Sequence, residues 1–196
     1  MNDTPLWTLD ALAAAVQGRV RGAPAQAITG ISIDSRTLKM GEAFFAIRGD
    51  RVDGHDYVAK AHAAGAGVAV VAEARLAHMP PEAPLVVVDD VLEALCRLAR
   101  AARTRSNAKI VAVTGSVGKT SSKEMLRLAL SQSGETHASA ASYNNHWGVP
   151  LSLARLPQAA RYGVFELGMN HPGELTPLSK MVEPHIALIT TIEPVH

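Results

Sequence analysis

Glycine, lysine and threonine stand together at residues 114–121, TGSVGKTS, after the apolar run Ile110, Val111, Ala112 and Val113. A buried strand, a tight glycine turn and a helix opening at Lys119 make a cradle for a polyphosphate. Gly115 and Gly118 let the backbone come close, and backbone N–H groups at a helix start attract negative charge. Lys119 can reach β- and γ-phosphates, and the Thr120 hydroxyl can ligate Mg²⁺. Gly115, Ser116, Val117, Gly118, Lys119, Thr120 and Ser121 are therefore the candidate nucleotide contacts. The general phosphate-loop pattern places four residues between its two glycines. Here Val113 occupies the first glycine position, and only two residues separate Gly115 from Gly118.

Other polar residues sit where they could meet that loop. The run 162–168, YGVFELG, reads as a strand ending at Glu166. A carboxylate at a strand end can hold Mg²⁺ beside a nucleotide, or be satisfied by local backbone. Asn144 and Asn145, in SYNNHWGVP, can bond a substrate or simply make a turn. Asn170 and His171 can face a cleft or cap a helix starting near Glu174. His196 follows a strand end and can act as a ligand. Earlier in the chain, Ser35 and Arg36 can bind an anion, or Arg36 can pair with Asp34. In the charged turn 48–56, Asp53 or Asp56 can cap a helix or bind a ligand.

The elements that must position these groups follow from apolar periodicity and turn residues. Helices are predicted over 9–17 (capped by Thr8 and stopped by Gly18), 55–65, 91–105, 119–132 and 174–182. Strands are predicted over 27–34, 43–48, 68–72, 85–88, 110–114, 135–138, 162–167 and 185–191. This predicts an α/β chain: a small mixed N-terminal domain, then the first part of a phosphate-loop domain with a mostly parallel sheet. Ligands of such sheets bind beyond the carboxyl ends of the strands. The chain stops just after a strand, which predicts an unfinished domain.

With 196 residues and a net charge of +1, the chain suits one large or two small domains and carries no broad basic surface for nucleic acid. Its single cysteine, Cys96, cannot form an internal disulfide and is predicted to be a core residue. The N-terminus lacks a basic leader ahead of an apolar stretch, and no apolar run approaches the ~20 residues of a membrane span. A cytoplasmic monomer without membrane insertion is expected. A GTPase would want an NKxD element, and none is present.

Taken together, DSR (34–36), AFFAIRGDRVDGHDY (43–57), TGSVGKTSSKEML (114–126), SYNNHWGVP (142–150), FELGMNHPGE (165–174) and TTIEPVH (190–196) resemble the Mur ligases, ATP-dependent amide-forming enzymes of peptidoglycan synthesis. The resemblance implies a UDP-sugar-binding domain over 1–82 and a partial ATPase domain over 83–196, with the C-terminal remainder missing. YNNHWGVPLSL and ELGMNHPGEL look most like the member that joins D-Ala-D-Ala to UDP-MurNAc-tripeptide through an acyl phosphate; a sister ligase adding one amino acid is the near alternative. By resemblance, Lys119 neutralises the phosphates of ATP and Thr120 ligates one Mg²⁺. Glu166 and His196 hold another Mg²⁺, Asn144 and Asn145 meet the substrate carboxylate, and Ser35, Arg36 and the 48–56 turn border the UDP site. Without the remainder of the domain, this stretch alone is expected to bind rather than to catalyse.

Overall fold

The computed structural model describes residues 5–140, 143–169 and 171–193. The chain divides into two compact units, Met1–Leu98 and Ala99–His196.

In the first unit, β1 (Trp7–Thr8) runs into α1 (Leu9–Val16). The Thr8 side chain accepts the Ala11 N–H at 3.2 Å, which is the expected N-cap. The stop differs from the reading above. Gln17 takes the left-handed conformation, φ 56°, while Gly18 is selected by packing: a Cβ there would lie 2.3 Å from Val86 Cγ1.

The strands that follow are β2 (Arg19–Arg21), β3 (Ala27–Ile28), β4 (Ile31–Ser32), β5 (Ala43–Phe45), β6 (Val68–Ala72) and β7 (Leu85–Val88). The expected strand over 27–34 is two short ones because the chain changes partner at 29–30: β3 pairs with β1, β4 with β5. A five-stranded sheet has the order β2-β7-β6-β5-β4, parallel except at β2. Since β7 lies between β2 and β6, residues 83–98 belong with this unit, although they were expected with the second domain.

The expected helix over 55–65 is a 3₁₀ turn, Gly54–Tyr57, followed by α2 (Val58–Ala63). Helix α3 (Val91–Arg105) buries Val91, Ala94, Leu95 and Leu98 at helical spacing. Cys96 falls beside that stripe and is half-buried, so it is not the core residue expected.

The second unit holds β8 (Lys109–Thr114), α4 (Lys119–Ser131), β9 (Thr136–Ala138), α5 (Gly148–Ala154), β10 (Tyr162–Glu166), α6 (Leu175–Val182) and β11 (Ile186–Ile189). Its sheet is entirely parallel, in the order β11-β8-β10-β9. Alternation along β8 splits the core in two. Ile110 and Ala112 join Val149, Leu153, Leu178 and Val182 of α5 and α6. Val111 and Val113 join Leu126 and Leu130 of α4 on the opposite face. This is the α/β, mostly parallel architecture the sequence predicts. Among the described residues no helix is long and apolar enough to cross a membrane.

Candidate functional site

The glycine turn joins the central strand β8 to α4, at the carboxyl edge of the parallel sheet. Gly115 has φ +131° and Gly118 φ +85°, conformations that side-chain-bearing residues rarely adopt. At Gly115 space also decides: an added Cβ would lie 2.2 Å from Thr190 Oγ1. The turn is pinned from β11's end. Ser116 N–H donates to Thr191 O at 2.7 Å, and its hydroxyl donates to Glu193 O at 3.1 Å while facing Glu193 N–H at 3.0 Å. The Thr190 hydroxyl lies 2.6 Å from Val117 O.

Lys119 folds back over this turn, its Nζ donating to Gly115 O at 2.7 Å and Ser116 O at 3.2 Å. The ammonium is thus held at the loop by carbonyls that a phosphate can replace. Thr120, in the first turn of α4, donates its hydroxyl to Glu166 Oε2 at 3.0 Å. Ser121 is exposed.

Glu166 ends β10 and is 1% exposed. Its other oxygen, Oε1, accepts from Asn144 Nδ2 at 2.9 Å, and its backbone N–H faces Ser139 Oγ at 3.4 Å. The two asparagines divide the roles left open by the sequence. Asn144 reaches the carboxylate, and its backbone carbonyl accepts Gly168 N–H at 2.7 Å. Asn145 makes the turn, accepting Gly148 N–H on Oδ1 at 2.9 Å at the start of α5. His171 does not cap α6, whose N-cap is Glu174 without a side-chain cap bond; its backbone N–H donates to Glu174 Oε2 at 3.2 Å. Ser142, Asn170 and His196 lie outside the described residues.

The Thr120–Glu166 oxygen pair fits a small hard cation. Their 3.0 Å separation is that of the hydrogen bond from the Thr120 hydroxyl to Glu166 Oε2, and a hydroxyl and a carboxylate are oxygen donors of the kind Mg²⁺ takes. Among the described residues no group of three or more His, Cys, Asp or Glu could hold a metal.

In the first unit, Arg36 pairs with Asp34, as the surface-pair alternative has it: Nε to Oδ1 at 2.9 Å and Nη2 to Oδ2 at 2.7 Å. The Arg36 side-chain and backbone N–H bonds pull the Asp34 carboxyl down to about 2. Ser35 beside them is buried. In the charged turn, Asp53 is the cap, accepting His55 N–H at 3.0 Å, while Asp56 pairs with Arg75. Buried His55 accepts Ala72 N–H on Nε2 at 2.9 Å, and its Nδ1 lies 2.6 Å from Asp53 Oδ1. Burial pushes the Asp53 carboxyl up, but the His55 bonds and Arg75 outweigh it and leave it below the usual range.

Sequence reasoning missed Lys123. It is 1% exposed on α4, with Nζ donating to Ser139 O at 2.8 Å. The only signal was its place one helical turn beyond Lys119.

Residues 113–196 match the Mur ligase middle domain, and residues 27–103 match the domain described as Mur ligase family, catalytic domain. The UDP-N-acetylmuramoyl-tripeptide--D-alanyl-D-alanine ligase of Escherichia coli (strain K12) is 37% identical over 189 residues, 96% of this chain and 41% of that protein. The ligase of the same name from Bacillus subtilis (strain 168) is 38% identical over 170 residues, 86% of this chain and 37% of that protein. A crystal structure of MurF from Acinetobacter baumannii superposes with a TM-score of 0.79 at 39% identity, covering 95% of this chain and 41% of that one. MurF ligase from Thermotoga maritima in complex with ADP has a TM-score of 0.69 at 26% identity, covering 85% and 38%. The chain spans about two fifths of the length of the curated relatives it matches.

Proposed function

The chain belongs to the Mur ligase family, and from that premise we propose that the complete protein is the ATP-dependent, ADP-forming ligase that joins D-alanyl-D-alanine to UDP-MurNAc-tripeptide. The printed names of its relatives support this choice of substrates. The observation that carries the reading is the meeting of Thr120 and Asn144 on one buried carboxylate, Glu166, beside the loop that holds Lys119.

In this reading a peptide carboxylate oxygen attacks the γ-phosphorus of ATP, ADP leaves and an acyl phosphate forms. The amine of D-Ala-D-Ala then attacks the acyl carbon, inorganic phosphate leaves and the amide nitrogen loses a proton. Lys119 exchanges its loop carbonyls for phosphate oxygens and offsets charge that grows in the transition state. Thr120 would hold one Mg²⁺, and Glu166 with His196 another; the ions would supply charge neutralisation at the phosphates. Asn144 orients Glu166 and borders the substrate carboxylate, and Asn145 shapes the turn that presents it. Ser35, Arg36 and the 48–56 turn border the UDP end. The protein works as a monomer in the cytoplasm, where ATP and UDP-linked precursors occur.

The test is phosphate release from ATP by the complete protein with UDP-MurNAc-tripeptide and Mg²⁺, offering D-Ala-D-Ala or single amino acids in turn. Release only with the dipeptide, lost in Lys119→Ala, supports the reading. Release with one amino acid moves the assignment to a sister ligase, and no release with any of them removes the ligase reading.

A further inference from the structure

Among the described residues of the second unit Lys123 is a buried lysine, and the reaction just described makes no use of it. Burying an ammonium is unfavourable unless its charge is paired and its protons are bonded, and an apolar side chain of similar size would avoid that cost. Here Nζ donates to Ser139 O at 2.8 Å and lies 3.3 Å from Glu124 Oε1. Ser139, also buried, follows β9 directly. Its N–H is bonded to Val164 O at 3.1 Å, and its hydroxyl lies under the Glu166 N–H. Five residues later the same segment delivers Asn144 to Glu166 Oε1. On the other side, Lys123 shares α4 with Thr120, which bonds Glu166 Oε2.

We propose that Lys123 is a positioning residue for the Glu166 centre. Its ammonium draws the Ser139 carbonyl onto α4 and so fixes the helix that carries Thr120 to the segment that supports Glu166 and supplies Asn144. The inference rests on the metal-binding role given to Thr120 and Glu166 above. In this role Lys123 acts through Ser139 and not on the metal or the substrate.

The test uses the complete protein, with Mn²⁺ as a spectroscopic probe in the presence of ADP. ADP affinity without metal and hydrogen exchange at the Glu166 amide are measured alongside. Lys123→Met should weaken Mn²⁺ by about tenfold, the scale of losing a supporting group behind a metal ligand. It should speed exchange at Glu166 and leave metal-free ADP affinity unchanged. Lys123→Gln, which removes the charge but keeps an N–H donor, should change both readouts in the same direction and by less. Unchanged Mn²⁺ affinity in folded Lys123→Met overturns the proposal. So does a parallel fall in metal-free ADP affinity, which would mark general damage to the loop. If Lys123→Met does not fold, Lys123→Gln, which removes the ammonium and keeps a polar end at the site, decides, and unchanged Mn²⁺ affinity in that variant overturns the proposal. Absence of Mn²⁺ binding by the unsubstituted protein removes the metal reading of Thr120 and Glu166, and this inference with it.

Discussion

The Thr120 hydroxyl donates to Glu166 Oε2 across 3.0 Å, joining the first turn of α4 to the last residue of β10 over 46 positions of chain. The contact exists because β10 pairs in parallel with β8, with Glu166 level with Val113. Both strands therefore point their carboxyl ends at one edge, and the glycine turn leaves β8 only to start α4 there. Sheet register thus brings a hydroxyl on a helix and a carboxylate on a strand together as a preformed oxygen pair.

Glu166→Gln tests what the charge does. A glutamine keeps the geometry: its oxygen can face Asn144 Nδ2 and its amide can donate to the Thr120 oxygen. The fold and melting temperature should change little, whereas phosphate release should fall about 100-fold, the upper range for damage to a metal's supporting groups. Release at the unsubstituted rate, measured across a Mg²⁺ titration, would dismiss Glu166 as a metal ligand.

The two turn glycines should differ in sensitivity. At Gly118 an added Cβ meets nothing closer than 3.9 Å, so Gly118→Ala carries only the left-handed backbone penalty, about 1–2 kcal/mol. At Gly115 the Cβ would also strike Thr190 Oγ1 at 2.2 Å and Thr191 O at 3.0 Å. Strain and overpacking together put Gly115→Ala at about 3 kcal/mol or more. Urea denaturation of both variants measures the order; equal losses would mean the 190–191 segment does not press on the turn.

That contrast also shows what was legible in the chain. Gly115, Gly118, the apolar run of β8 and the strand ending at Glu166 are local signals, and the structure follows them. Helix α5 escaped because Pro150 and the polar residues before it read as a loop. In fact Pro150 is the third helical residue, where a missing N–H breaks no intrahelical bond. Lys123, in KTSSKE, carries no local signal of burial; its contact is with Ser139, 16 residues on, and so belongs to tertiary packing. The different work of Asn144 and Asn145 is likewise decided by where β10 ends. In the first unit, Gly18 looked like a helix stop, but its cause is Val86 on a neighbouring element.

Asp34 offers a pH test. Its carboxyl sits at about 2, below the ordinary 3.8, because Arg36 donates to it from both side chain and backbone. A depressed carboxyl stabilises the fold above its unfolded value, so this contribution is complete above about pH 4 and is lost as pH falls through about 2. The pair is solvent-exposed and its effect on stability is small. The titration midpoint is the sharper readout. In Arg36→Ala it should rise from about 2 yet stay below 3.8, since the backbone N–H at position 36 still donates to Oδ1. Carboxyl-carbon NMR measures it, and an unmoved midpoint would mean the guanidinium is not the cause.

Ser116→Ala probes the clasp between the glycine turn and the residues after β11. The hydroxyl donates to Glu193 O and faces Glu193 N–H, so its removal frees both backbone groups. The Ser116 N–H bond to Thr191 O, 2.7 Å, does not involve the side chain and should survive. Hydrogen exchange at Glu193 should therefore quicken about tenfold, the equivalent of one net hydrogen bond, while the amide at position 116 keeps its rate. If both amides quicken together, the hydroxyl orders the whole turn; if neither does, the Thr190 and Thr191 contacts hold it unaided.

Lys119→Met separates phosphate binding from folding. The ammonium's bonds are to Gly115 O and Ser116 O, carbonyls of an open turn, so losing them should barely alter melting. Toward a diphosphate the same ammonium makes charge-assisted bonds worth about 1.5–3 kcal/mol each, and removing it should weaken ADP roughly 100-fold. Calorimetric titration of ADP against the complete protein and the variant measures the ratio. Equal affinities would show that Lys119 serves the turn and not the nucleotide. A large loss with unchanged melting would place its role at the phosphates, because a merely structural lysine would lower both together.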